Sequence, residues 1–289
     1  MSVEKSLAAD KDRIERELAR ILPRGSSRLD QAMRYSVLDG GKRFRPLLLI
    51  ASGKCFGVSR SVLLPFACAL ELVHSYSLIH DDLPAMDDDD VRRGKPSCHR
   101  AFGEDIALLA GDGLLTLAFE VLVAAAVPAE LQPQKQAAAR TIGRRAGAQG
   151  MIGGQYLDIT AEPNLLAADE LEEIIQKKTG ALISAAVEVG AILGRAPAAE
   201  KRTILEYGRR VGLAFQIRDD LRDSQCKRRG KLFLRPDYVQ RFGRSAASRK
   251  LAELVSGAVD VVERFAKRAD GLRFPATSLL EADHEVPHA

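Results

Sequence analysis

Carboxylates gather twice in this chain of 289 residues, at Asp81, Asp82 and Asp87 within DDLPAMD and at Asp219, Asp220 and Asp223 within DDLRD. Oxygen-only donors select a hard divalent cation, and Mg²⁺ is typically shared between one or two carboxylates and substrate phosphates. Six residues separate Asp81 from Asp87, a spacing that an unbroken helix would turn to different faces. Pro84 forbids regular continuation, so the chain bends and both carboxylates can turn toward one point. Asp219 and Asp223 need no such bend, because residues four apart share a helical face. One acidic helix end is ordinarily a solvated face. Two of them, each closing an apolar helix, point to a shared cation site. The spacing excludes an EF-hand, which also requires a Gly at its sharp turn.

Opposite charge lies close by in the sequence. Gly40, Gly41, Lys42, Arg43 and Arg45 form a Gly-led basic cluster, and Arg92 and Arg93 follow the first acidic motif. Arg forks pair bidentately with phosphate oxygens, and backbone amides at a Gly-rich turn add donors. Acid and base together describe a metal-diphosphate site.

The elements that must hold these groups are helices. Apolar residues recur at three and four almost throughout, and strand-like alternation is nearly absent. Helices are expected over 3–22, 28–38, 43–56, 60–82, 99–126, 134–159, 168–194, 198–223 and 244–270, with a shorter one near the end. Gly and Pro punctuate the short connections between them. The stretches 60–82 and 180–217 are apolar around most of their circumference and belong inside the molecule. The expected architecture is all-α, a single domain over 1–289 with about ten or more helices around a central cavity.

Composition limits the alternatives. Hydrophobic residues make up 46% and charged residues 28%, the balance of a globular chain. A net charge of +4, from 43 basic and 39 acidic residues, supplies no field arguing for nucleic acid. Cys55, Cys68, Cys98 and Cys226 show neither CxxC pairing nor metal spacing, which fits free thiols in a reducing compartment. The first fifteen residues are charged and lack a secretory h-region. No apolar run approaches the ~18 residues of a membrane span. A cytoplasmic location without a membrane span is expected.

The run ELVHSYSLIHDDLPAMDDDDVRRGKPSCH, from Glu71 to His99, closely resembles the polyprenyl diphosphate synthase family, and within it the bacterial farnesyl diphosphate synthases. GGKRFRP at Gly40 to Pro46, GMIGGQYLD at Gly150 to Asp158, KTGALI at Lys178 to Ile183 and FQIRDD at Phe215 to Asp220 extend the resemblance over most of the chain. It implies the class I isoprenoid synthase fold and head-to-tail condensation, in which isopentenyl diphosphate attacks an allylic cation formed as diphosphate departs. By matching position, Asp81, Asp82, Asp87 and Asp219, supported by Asp223, would hold three Mg²⁺ ions against the allylic diphosphate. Arg92, Lys178 and Lys231 would neutralise that diphosphate, while Lys42, Arg45, His74 and Arg93 would hold isopentenyl diphosphate. Thr179, Gln216 and Asp220 belong to the reacting centre.

The resemblance also bears on product, activity and assembly. Tyr76, five residues before Asp81, matches the family's bulky floor of the tail cavity, with the small Ser77 beside it. That implies a fifteen-carbon product, the twenty-carbon geranylgeranyl diphosphate being the close alternative. After Asp223 the chain reads SQCKRRG, shorter than the family's acidic, Gly-containing loop, and Arg235 stands where a Lys is usual. Shortening of a closing loop raises a second hypothesis, a partner subunit that binds prenyl diphosphates without turnover. A class I terpene cyclase is a third, although it would not need Lys42, Arg45 and Arg93 for a second diphosphate. A homodimer formed through the helices around 105–126 is implied.

Overall fold

The computed structural model describes residues 2–38, 40–162, 166–224 and 237–281. Among these the chain is almost wholly helical: α1 (Val3–Ile21), α2 (Arg28–Leu38), α3 (Phe44–Cys55), α4 (Arg60–Asp81), α5 (Cys98–Phe102), α6 (Glu104–Ala124), α7 (Gln132–Ala146), α8 (Met151–Thr160), α9 (Ala168–Ile175), α10 (Ala181–Leu193), α11 (Ala198–Asp223), α12 (Tyr238–Phe242), α13 (Arg244–Val262) and α14 (Asp270–Thr277). The only β structure described is a hairpin of two-residue strands, β1 (Val91–Arg92) and β2 (Lys95–Pro96), paired antiparallel.

Four expected helices prove to be interrupted, one of them 244–270, where α13 ends at Val262 and a 3₁₀ stretch with a non-helical Ala266 leads into α14. Within 99–126, Gly103 takes φ 95° and separates α5 from α6. Within 134–159 the chain turns between Ala146 and Met151, where a Cβ on Gly150 would lie 1.9 Å from the Arg145 carbonyl oxygen. Within 168–194, Gln176–Gly180 forms one π-helical turn between α9 and α10. The hairpin is not expected from periodicity, since two residues per strand carry no alternation to read.

Helix α10 is the inner element, with eleven of its thirteen residues buried, and it packs on α3, α7 and α11. Helix α4 lies against α3 on one side and α6 on the other, and α13 covers α11. One continuous apolar cluster runs from Ile14 of α1 to Leu279 beyond α14. The stretch 180–217 is thus two helices of different character, and only α10 is buried around its circumference.

Measured on whole helices, α4 and α6 are each long and apolar enough to cross a membrane, with mean hydropathy 1.6 and 2.0 over the most apolar window. Neither is the uninterrupted apolar run that the sequence reading looks for, since Glu71 and His74 break α4 and Asp112 and Glu120 break α6. Burial accounts for α4, of which 78% of that window is inside the fold; for α6 the share is 33%.

Candidate active site

Helix α4 ends at Asp81, and Pro84 turns the chain back as the sequence requires. The Asp87 amide donates to the Asp81 carbonyl oxygen at 2.8 Å and the Asp89 amide to that of Asp82 at 3.2 Å. The fold-back thus returns Asp87 to the helix end. Asp82 is 2% exposed, and Arg92 of β1 forks onto it through Nε, 3.1 Å from Oδ1, and Nη2. Burial still lifts the Asp82 carboxyl above its ordinary range, with Arg92 opposing the rise. On the flank of α4, Asp82, Arg92 and Ser75 line a small hollow roofed by Tyr35 and Pro96.

The basic loop between α2 and α3 faces the same end of α4. Gly40 and Gly41 take φ 89° and 126°, conformations suited to glycine, and Arg43 takes φ 48° before α3 begins. The side chains on either side of Arg43 then diverge in role. Lys42 is exposed. Arg45, 8% exposed, approaches His74 of α4, Nη1 to Nε2 3.2 Å, and lies 5.5 Å from the centroid of the Phe215 ring on α11. It sits in the fields of Asp219 and Arg93, and its buried Nε finds no hydrogen-bond partner among the described residues. Arg93 donates from Nη1 to the Gly40 carbonyl oxygen at 2.6 Å. His74 is pushed well below the usual histidine range by burial, and then by Arg45, Arg93, Arg92 and Arg43.

Helix α11 brings the second acidic group. Burial raises the carboxyls of Asp219 and Asp220, the latter to about 7. Asp220 is occupied as a brace. It accepts from Gln216 Nε2 at 2.8 Å and from the Tyr238 amide at 3.0 Å, joining α11 to α12. Gln216 Oε1 in turn accepts from the Thr179 hydroxyl at 2.7 Å.

Thr179 and Lys178 lie on the π turn, which is pressed between two glycines. A Cβ on Gly154 of α8 would stand 2.1 Å from the Lys178 amide nitrogen, and one on Gly212 of α11 would stand 2.7 Å from the Gly180 Cα. Only bare backbone permits these approaches. One helical turn after Gly154, Asp158 accepts from Lys178 Nζ at 2.5 Å.

Among the described residues no three His, Cys, Asp or Glu side chains converge tightly enough to cage a metal. A Mg²⁺ ion shared with a substrate needs only one or two oxygens from each protein group. Asp219 is half-buried and desolvation raises its proton affinity, so a neighbouring cation would favour its charged form. The donor set is oxygen alone, so the residues fit divalent cations as two half-sites.

Of the residues expected in the site, the structure gathers Arg45, His74, Arg92 and Arg93 around the ends of α3 and α4. It joins Thr179, Gln216 and Asp220 in one hydrogen-bonded chain. Lys231, Arg235 and the shortened loop after Asp223 lie outside the described residues, as does Cys226; the other three cysteines are buried and free. Tyr76 is 5% exposed, edge-on to His80 at 5.7 Å, and the Ser77 hydroxyl donates to the His74 carbonyl oxygen. Arg43, grouped by sequence with the diphosphate-binding cations, instead turns into the core toward Glu15 and Glu71. Asp158 as partner of Lys178 and the two glycines of the π turn escape sequence reasoning. Each acts through a neighbour twenty or more residues away.

The polyprenyl synthetase family model matches residues 26–232. A farnesyl diphosphate synthase of Geobacillus stearothermophilus is 45% identical over 228 residues, 78% of this chain and 76% of the relative. The large subunit of a heterodimeric geranylgeranyl pyrophosphate synthase of Arabidopsis thaliana is 45% identical over 202 residues, 68% of this chain and 54% of the relative. The crystal structure of an FPP/GFPP synthase from Zymomonas mobilis superposes with a TM-score of 0.85 at 34% identity, covering 96% of this chain and 99% of that one.

Proposed function

The chain belongs to the polyprenyl synthetase family, and on that premise we propose that it condenses isopentenyl diphosphate head-to-tail with dimethylallyl or geranyl diphosphate to give farnesyl diphosphate. The observation that carries this reading is the position of Arg45. It draws the basic end of α3, His74 of α4 and Asp219 of α11 into one neighbourhood, supplying cations for one diphosphate and carboxylates for the cations of another.

In this reading Asp81, Asp82 and Asp87 on one side, with Asp219 and Asp223 on the other, hold Mg²⁺ against the allylic diphosphate. When bound, the metal neutralises the charge that gathers on the departing diphosphate. Arg92 stands ready beside Asp82 to share that charge, and Lys178 does the same from the π turn, steered by Asp158. Lys42, Arg45, His74 and Arg93 receive isopentenyl diphosphate. Because negative charge builds on the leaving group only as the carbon–oxygen bond breaks, fixed cations stabilise the transition state more than the ground state. The Thr179 and Gln216 dipoles, locked together by Asp220, face the cationic carbon. The departing diphosphate takes the proton that the new carbon–carbon bond displaces. Tyr76 closes the tail cavity at fifteen carbons. Geranylgeranyl diphosphate is the second product to test, because Ser77 beside it is small. A homodimer formed over the outer face of α6 and a cytoplasmic location complete the proposal.

The decisive assay combines the purified chain with dimethylallyl or geranyl diphosphate, radiolabelled isopentenyl diphosphate and Mg²⁺, and resolves dephosphorylated products by chromatography. A fifteen-carbon alcohol is expected, lost on chelation by EDTA and restored by added Mg²⁺. No turnover would favour the partner-subunit alternative, and a hydrocarbon product would favour a cyclase.

A further inference from the structure

Among the cations of the loop between α2 and α3, Arg43 differs from its neighbours. Its side chain is wholly buried, whereas Lys42 before it is exposed. Its guanidinium forks onto Glu15 of α1, Nε to Oε1 at 2.7 Å and Nη2 to Oε2 at 3.0 Å. Nη1 reaches Glu71 of α4 at 2.7 Å, and Nη2 also donates to the Val37 carbonyl oxygen near the end of α2 at 2.6 Å. One planar group therefore ties the loop to three helices. Burial works against this charge, yet the two carboxylates outweigh it and hold the guanidinium protonated.

The loop needs such a tie. Three of the four residues from Gly40 to Arg43 have positive φ, and two of the three are glycines, whose backbone has no strong preference of its own. Arg43 at φ 48° and ψ 36° is a non-glycine in the left-handed region, a conformation held by surrounding structure. From outside, Arg93 fixes the Gly40 carbonyl oxygen and stacks within 3.2 Å of where a Gly41 Cβ would be. From inside the tie is Arg43. Two rungs then connect the start of α3 to α4, Arg43 to Glu71 and Arg45 to His74, with Glu71 and His74 three residues apart on one helical face. A shift of the first rung carries the second with it.

We propose that Arg43 is a positioning residue for the isopentenyl diphosphate half of the site, setting where Lys42 and Arg45 meet that substrate while making no contact with it. The assignment rests on the functional reading above and deepens it. Lysine at this position keeps the charge and loses the fork, because an ammonium cannot span Glu15, Glu71 and Val37 at once. Arg43→Lys should therefore raise KM for isopentenyl diphosphate on the order of tenfold, a modest part of what an ångström of misplacement can cost. KM for geranyl diphosphate and kcat should stay within about threefold of wild type, since Arg92, Lys178 and the carboxylates are anchored elsewhere. Glu15→Gln keeps the shape and weakens the fork. It should shift the same constant in the same direction by less, and serves as the test if Arg43→Lys does not fold. Calorimetric titration with isopentenyl diphosphate alone should show the same loss of affinity. Equal rises in both KM values, or a lower melting temperature with both KM values unchanged, would make Arg43 a scaffold residue and overturn the assignment alone. A wild-type chain that neither binds isopentenyl diphosphate nor turns it over would overturn the functional reading, and this assignment with it.

Discussion

Single residues in this site are defined by what burial does to them. The Tyr76 hydroxyl is buried without a hydrogen-bond partner among the described residues, and burial raises its pKa to about 12. A buried donor left unpaired costs ~1–3 kcal/mol, so Tyr76→Phe should stabilise the fold by about 1 kcal/mol in denaturant unfolding while product length stays the same. In the proposed reading Tyr76→Ala opens the floor of the tail cavity. Its products should lengthen by at least one five-carbon unit, and unchanged chromatograms would make Tyr76 ordinary core. His74 gives a prediction in pH. Its native proton affinity is depressed by burial and four arginines, whereas in the unfolded chain it takes a proton near pH 6.5. Below that pH the unfolded state binds more protons. The stability belonging to this site is therefore complete above pH 6.5 and falls with decreasing pH, by up to ~1.4 kcal/mol per pH unit. The stability of wild type relative to His74→Gln should fall between pH 7 and pH 5, and a constant difference would mean that His74 is not held neutral.

At the scale of elements, what the sequence discloses is what local periodicity and punctuation encode. Helices α1 to α4 and α11 appear almost residue for residue, because apolar spacing of three and four is a local property of the chain. The bend after Asp81 is legible for the same reason, since Pro84 is itself the cause. The π turn is not legible. Nothing in QKKTG demands it, and it exists where α9 and α10 must pass between Gly154 and Gly212, which belong to other helices. Arg43 is opaque in the same way: it reads as one cation among several, and its two carboxylates lie 28 residues to either side. Gly154→Ala tests the close approach at the π turn. Alanine improves local helix propensity by up to ~1 kcal/mol, but its Cβ would stand 2.1 Å from the Lys178 amide nitrogen, backbone that cannot swing aside. The clash should dominate, with a net loss of about 1–3 kcal/mol in unfolding free energy. It should also raise KM for the allylic substrate more than for isopentenyl diphosphate, because Lys178 moves with the turn. An unchanged or raised melting temperature would show that α8 retreats freely.

For the whole molecule, the element that a single chain leaves unfinished is α6. Its inner face, Ala107, Gly111, Leu114, Ala118 and Leu122, recurs at four, three, four and four and is buried against α4 and its neighbours. The outer face carries Leu108, Leu109, Phe119 and Val123, between 40% and 77% exposed, around Asp112 and Thr116. A helix apolar on both faces is normally covered on both, and contiguous exposed apolar surface of this kind marks an interface. A second copy placed about a two-fold axis would set this face against its own counterpart, a self-complementary contact that needs no other partner. The wild-type chain should therefore sediment at twice its monomer mass. A charge at the centre of such a contact faces its own copy in a desolvated setting, so Phe119→Asp should dissociate the dimer at micromolar concentration. Because Phe119 is 40% exposed within one chain, the same substitution should leave each monomer folded, with its helical circular dichroism intact. A wild-type monomer, or a Phe119→Asp variant that stays dimeric, would place the interface elsewhere. Helix α6 packs on α4, whose last residue is Asp81, so separation should also loosen the floor around Tyr76 and His80, where His80 Nε2 lies 3.1 Å from the Leu108 carbonyl oxygen. Product length in the dissociated variant should broaden toward longer chains before turnover is lost.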